Sequence, residues 1–250
     1  MADETSERVA EKPADKVTFT IDGVGVEAEA GQTILQAAAR AGIYIPHLCA
    51  MKGLSPWGSC RVCTVMANGR PQAACTMPVA EGMVVESQTA ELADLRSSMV
   101  EMLFVEGNHF CMFCEKSGNC ELQAMGYRMG MLSPRHSYLF PARPLDASHP
   151  DVMLEFNRCI HCARCIQASQ ELDGKHVFQF IGRGAHKRIG VDSATGAAGT
   201  DLSAADQAVA VCPVGCIVKK RVGFVVPIGQ RSFDRVPIGS AIESGRAANR

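Results

Sequence analysis

The sequence is nearly without net charge. Its 25 basic and 26 acidic side chains leave a formal -1, so it offers no field for nucleic acid or an anionic membrane surface. Aromatic residues make up only 6% of the chain and Trp57 is the single tryptophan. Large side chains therefore do little of the organising, and another source of order is needed. No run approaches the ~20 apolar residues of a membrane span, and no secretory leader is read at the N-terminus. Gly182-Arg183-Gly184 lacks the third glycine of a dinucleotide fingerprint, and no Gly-x-Ser-x-Gly or phosphate-binding loop occurs. The histidines and acids form no second compact constellation beyond the one described next, so no substrate site is expected in this chain.

What the sequence does have is cysteine, 12 in 250 residues. Without a leader, thiols in such number point to metal binding in a cytoplasmic protein rather than to disulfides. His109, Cys111, Cys114 and Cys120 lie within one short stretch, a complete set of one imidazole and three thiolates. Zinc and an iron–sulfur cluster both accept such a set. The flanking groups favour the cluster. Cys159-x2-Cys162-x2-Cys165 followed by a distant Cys212-Pro213 is the spacing that wraps a 4Fe–4S cubane. Position 169 is Ser169, and Leu202, Ala205 and Ala208 stand where a second cluster would need cysteines before Cys212, so this segment holds one cubane. Cys49, Cys60, Cys63 and Cys75 follow the plant-type 2Fe–2S arrangement with a longer first gap. Gly53, Gly58 and Ser59 suit a loop whose backbone must approach sulfur. Every cysteine is then used except Cys216, which is read as a small buried hydrophobe. Arg61, Arg158 and Arg164 stand beside cluster cysteines, where they are either charges that favour the reduced cluster or solvated side chains and partner contacts.

The fold class expected is α+β, with residues 1–16 as a charged, flexible lead-in. Val17 to Ala28 alternates around Asp22-Gly23 and reads as a hairpin. Thr33 caps a helix over Ile34 to Ala41 that Gly42 closes. Ile43-Tyr44-Ile45, Val62 to Ala67 and Met83 to Glu86 read as strands, with Asn68-Gly69 as a tight turn. Residues 17–86 thus suggest a β-grasp 2Fe–2S domain. From Thr89 the period lengthens to that of a helix, with Leu92, Leu95, Met99, Met102 and Leu103 on the core side. A second helix follows Cys120 with Leu122 and Met125. This helical segment, residues 87–145, carries the one-His/three-Cys group. Ser133 to Pro150 is a connecting arm. A ferredoxin-like 4Fe–4S domain over residues 146–221 is expected to hold a strand at Val152 to Phe156 and a helix at Ile166 to Leu172. His176 to Ile181 pairs with Arg188 to Asp192, and Ser203 to Val211 is helical. Residues 222–250 form a tail with a repeated Val-Pro-Ile-Gly.

Together, the three groups resemble the N-terminal iron–sulfur region of the large complex I subunit and of iron-only hydrogenases. The similarity is greater to the HoxU family, the iron–sulfur diaphorase subunits of soluble NAD-reducing nickel–iron hydrogenases. It rests on Tyr44-Ile45-Pro46, Cys60-Arg61-Val62-Cys63, Glu106-Gly107-Asn108-His109, Cys114-Glu115-Lys116-Ser117-Gly118, Cys120-Glu121-Leu122-Gln123-Ala124 and Cys212-Pro213-Val214-Gly215, and on Lys220-Arg221-Val222-Gly223 and Pro227-Ile228-Gly229. The gap His109-x-Cys111, where complex I has His-x3-Cys, is the short one of the HoxU type. Only 38 residues follow Cys212, too few for the catalytic domain that follows in the larger relatives. The resemblance implies an electron relay between a flavin subunit holding FMN and NAD(H) and a hydrogenase small subunit with its nickel–iron large subunit. The enzyme implied is an NAD-reducing hydrogenase acting only as a complex. The equivalent subunit of an NAD-dependent formate dehydrogenase or complex I-like enzyme, a free ferredoxin-like carrier, and a zinc-stabilised interaction protein are the other readings.

Overall fold

A computed structural model describes residues 16–245. The lead-in expected for residues 1–16 lies outside the described residues, except for Lys16, which opens the first strand. The hairpin forms as the alternation requires: β1 (Lys16–Ile21) pairs antiparallel with β2 (Val24–Glu29) across Asp22-Gly23. Thr33 and Gln36 make a reciprocal capping box on α1 (Ile34–Arg40). β3 (Thr64–Ala67) turns at Asn68-Gly69, both with positive φ, into β4 (Arg70–Ala73). β5 (Val84–Glu86) then runs parallel to β1 and antiparallel to β3, giving the order β2-β1-β5-β3-β4. This mixed sheet and α1 enclose one core, around Phe19, Ile21, Ile34, Val65 and Val85, and make the expected β-grasp arrangement.

Thr89 caps α2 (Ala90–Val105), which leads to the middle cysteine loop and α3 (Glu121–Arg128). β6 (Leu145–Asp146), β7 (Val152–Glu155) and β10 (Ile217–Lys219) form a second sheet, ordered β10-β7-β6. Between its outer members in the chain lie α4 (Arg164–Glu171), the hairpin of β8 (Phe178–Ile181) and β9 (Arg188–Val191), and α5 (Gln207–Ala210). A second core forms here around Leu122, Met125, Leu154, Phe156 and Phe178. It also takes in Leu48, Cys49 and Cys60 from the first segment, whereas Cys63 and Cys75 belong to the sheet core. The first cysteine group therefore sits where the two cores meet.

The structure corrects several expectations. Ile43-Tyr44-Ile45 is not a strand: the Ile43 N–H closes α1 by donating to the Ala38 carbonyl, and Pro46 leaves no ladder to continue. The core side of α2 includes Arg96 and Glu101, and Met102 faces solvent at 41% exposure. Arg96 is tolerated there because it donates to the carbonyls of Thr64 and Ser87. Helix α5 is one turn, shorter than Ser203 to Val211, and the arm 133–150 contributes β6. The tail is also built in. Arg231 reaches the Ser117 carbonyl at 3.2 Å, Ser232 binds Asn119, and the Phe233 N–H donates to the Gly118 carbonyl at 2.9 Å. α6 (Ser240–Glu243) ends this strap, where Glu243 pairs with Arg128.

Candidate metal centres

The first group is assembled by the loop between α1 and β3 together with the end of β4. All four thiols, Cys49, Cys60, Cys63 and Cys75, are buried. Gly58 turns the loop at φ +72°, and a Cβ there would meet the Thr76 side chain at 3.1 Å. A side chain there would be strained at that φ and would push the Thr76 side chain aside by a few tenths of an ångström. The Cys49 N–H approaches the Cys60 sulfur at 3.4 Å. Cys49 is held below the ordinary thiol range by hydrogen bonds from the Cys60 and Cys75 thiols. Its two donors are pushed up in turn, with burial adding to the same direction. A buried nest of four sulfurs, with Cys49 held below the ordinary thiol range by its neighbours, suits a centre bound by thiolates.

The middle group follows α2 and is carried almost entirely by loop, with one short 3-10 turn at Cys111–Phe113. His109, Cys111, Cys114 and Cys120 line one cavity with Gln123 and Arg158. The imidazole stacks edge-on against Phe104 at 5.6 Å and bonds to the Leu103 backbone, while its Nε2 is buried without a partner. Burial lowers its pKa to about 4, so the ring is neutral and keeps a lone pair, the form that ligates a metal. Burial likewise pushes Cys120 up to about 12 and raises Cys111; binding a metal here must displace those protons.

In the third group Cys159, Cys162, Cys165 and Cys212 line a single cavity, and Cys216 lines it with them. Cys162 and Cys165 are raised by burial. Cys212 is lowered to about 6, chiefly by a hydrogen bond from Cys216, which is itself raised by its bonds to Cys159 and Cys212. Sequence reasoning set Cys216 aside as a bystander; the structure makes it a fifth thiol of this cavity. The spacing Cys212-x3-Cys216 at the start of β10 was the signal available. The middle and third groups each surround a cavity lined by their thiols, with His109 in the middle one, and these donors fit clusters.

The groups touch one another. Ser59 donates to the His161 carbonyl at 3.3 Å, and Trp57 leans on Phe180, which joins the first loop to the third. Arg158 donates to the Cys114 sulfur at 3.6 Å, to Glu115 at 2.9 Å and to the Gly215 carbonyl at 3.3 Å. A Cβ on Gly215 would come within 2.4 Å of that sulfur, so the middle and third loops press together at Gly215. Arg164 is buried and Arg158 partly buried, at 4% and 14% side-chain exposure; Arg61 is exposed, with φ 58°.

Family models match this order. Residues 14–90 match a 2Fe–2S iron–sulfur cluster binding domain, and residues 96–135 the NADH-ubiquinone oxidoreductase-G iron–sulfur binding region. Residues 149–218 match the ferredoxin-like domain of NADH-quinone oxidoreductase subunit 3. The gamma subunit of the NAD-reducing hydrogenase HoxS of Cupriavidus necator is 43% identical over 219 residues, 87% of this chain and 93% of that one. The chain belongs to the HoxS gamma family. A solved NAD+-reducing [NiFe]-hydrogenase, in its H2-reduced state, contains a chain that superposes with a TM-score of 0.88. The identity is 45%, over 92% of this chain and 98% of that chain. More distant is the mitochondrial NADH-ubiquinone oxidoreductase 78 kDa subunit of Candida albicans, 34% identical over 88% of this chain but only 30% of that protein. HoxS gamma-type chains are thus iron–sulfur electron-transfer subunits akin to the much longer complex I subunit. No helix among the described residues is long and apolar enough to cross a membrane.

Proposed function

We propose that the chain relays electrons in the cytoplasm between a flavin subunit, which holds FMN and NAD(H), and a hydrogenase small subunit with its nickel–iron large subunit. In this reading Cys49, Cys60, Cys63 and Cys75 hold a 2Fe–2S cluster within residues 17–86. His109, Cys111, Cys114 and Cys120 hold a 4Fe–4S cluster within residues 87–145. Cys159, Cys162, Cys165 and Cys212 hold another within residues 146–221. Such clusters, when bound, take up and release single electrons at potentials their surroundings set. The chain's own part is to hold the sulfurs, exclude water and place the sites side by side. Neutral His109 puts one charge fewer on the middle site than a fourth thiolate would, which favours reduction there.

The observation that carries the proposal is the direct contact between successive donor loops, above all Arg158 joining the Cys114 sulfur to Gly215. Anaerobic purification of the tagged chain tests it. Flavin and nickel subunits should co-purify, with about ten irons and no stoichiometric zinc per chain. Purification of the chain alone would favour the free carrier, and zinc in place of one cluster would refute the assignment. Cys212→Ser should lose the third cluster whereas Cys216→Ser keeps it. Equal iron loss in both would make Cys216 the ligand or its equal.

A further inference from the structure

Each of the two arginines of the third group pairs with the acid that follows a middle-group cysteine. Arg158, before Cys159, meets Glu115, after Cys114. Arg164, before Cys165, meets Glu121, after Cys120. The second pair reaches further. Both terminal nitrogens of Arg164 donate to the two Glu121 oxygens at 2.7 Å, and one also donates to the Ala50 carbonyl at 3.1 Å. The Glu121 N–H donates to the Pro213 carbonyl at 2.8 Å. One ion pair therefore touches a residue adjacent to Cys49, Cys120, Cys165 and Cys212, covering all three groups.

Packing alone does not account for this pair. Burying a guanidinium costs several kcal/mol, and apolar residues of similar volume commonly serve stability as well or better. The Arg164 Nε is moreover buried with no hydrogen-bond partner, an expense a purely structural residue would avoid. What the pair retains is its field: Arg164 is 4% exposed and weakly screened, while Glu121, at 28%, is only partly screened by solvent.

We propose that Arg164 and Glu121 form a shared charge control for the middle and third clusters. Arg164 stabilises an added electron on either, Glu121 opposes it, and the two nearly cancel. Neither side chain touches a sulfur; the Arg164 N–H that bonds to the Cys162 thiol is backbone and survives substitution of the side chain, so both side chains are positioning groups that act through the field. The first group meets the pair only through the Ala50 carbonyl and responds least. This rests on the ligand assignment proposed above.

Redox titration of the intact purified complex, followed by EPR, tests the idea on Arg164→Gln, Glu121→Gln, Arg164→Lys and the double glutamine variant. Arg164→Gln should shift both potentials down and Glu121→Gln should shift both up. The double variant should return close to the wild type, and Arg164→Lys should stay near it. A purely structural role gives shifts of one sign, with the double variant at least as perturbed as either single one. That pattern, or unshifted potentials in Glu121→Gln, overturns the proposal. Should Arg164→Gln lose iron, the sign in Glu121→Gln and the behaviour of Arg164→Lys still decide. The ligand assignment is judged separately: a wild-type complex lacking a cluster signal or its iron would sink that assignment instead.

Discussion

The first and middle cysteine groups are built in opposite ways. The first is set into a sheet and its loops. Its four thiols are buried, and Cys63 and Cys75 share the sheet core with Val65 and Val85. The middle group hangs between two helices on loop and a single 3-10 turn, with Cys111 and Cys120 only partly buried. Its rim is Phe110, Met112 and Phe113, at 66%, 85% and 72% exposure. In the first site a sheet holds the cysteines; in the second turns, Arg158 and the tail strap do, and under the proposed assignment a bound cluster would supply much of the remaining order. Where hydrogen-bond ladders and apolar burial already fix a loop, a cluster adds little order. Where they do not, metal binding is folding free energy.

Removing iron should expose this contrast most strongly. Chelation under reducing conditions should abolish hydrogen-exchange protection over residues 107–120 while β1, β3 and β5 stay protected. Equal loss in both regions would break the comparison. Next in size, His109→Ala should cost about four irons per chain, or leave them labile, while the first-site signal persists. An unchanged middle signal and potential would show that His109 is not a ligand.

On the other side, Arg96→Met probes the frame of the first site. It leaves the Thr64 and Ser87 carbonyls without their buried donor, so stability should fall by about 3 kcal/mol in denaturant titration. First-site iron should be retained. The smallest effect belongs to the strap. Arg231 holds the Asp234 carboxyl down at about 2. Its contribution is thus complete above the unfolded carboxyl range and is lost only as pH falls towards 2. Asp234→Ala should speed exchange at Ser117 to Asn119 at neutral pH without changing iron content. Unchanged exchange would show that the strap does not order the loop.

Much of both sites was legible in the residues because their signals are local. Short cysteine spacings, the Asp22-Gly23 turn and the Thr33 cap act over a few residues, and the turn and the cap form where the residues place them. What stayed hidden depends on partners far along the chain. β4 contains Pro71 and is recognisable only once Ala67 pairs with Arg70. β6 exists because β7 offers it an edge. Arg96 and Glu101 read as solvent-facing on a helix pattern. They are buried because Thr64, Ser87 and Arg135, distant in sequence or outside the helix, supply their hydrogen bonds. Cys216 followed the same rule: its isolation in the motif count said nothing of the cavity it enters.

The strap also imposes an order on assembly. A Cβ on Gly118 would lie 2.2 Å from the Arg231 side chain, so the tail covers the middle loop closely. Residues 231–234 leave the ribosome after every proposed ligand has emerged. By then the first sheet has had all its strands available for more than a hundred residues of translation. The loop at Ser117 to Asn119 is consequently the last part of the three cysteine groups to gain its neighbours, after the residues of every group have been made.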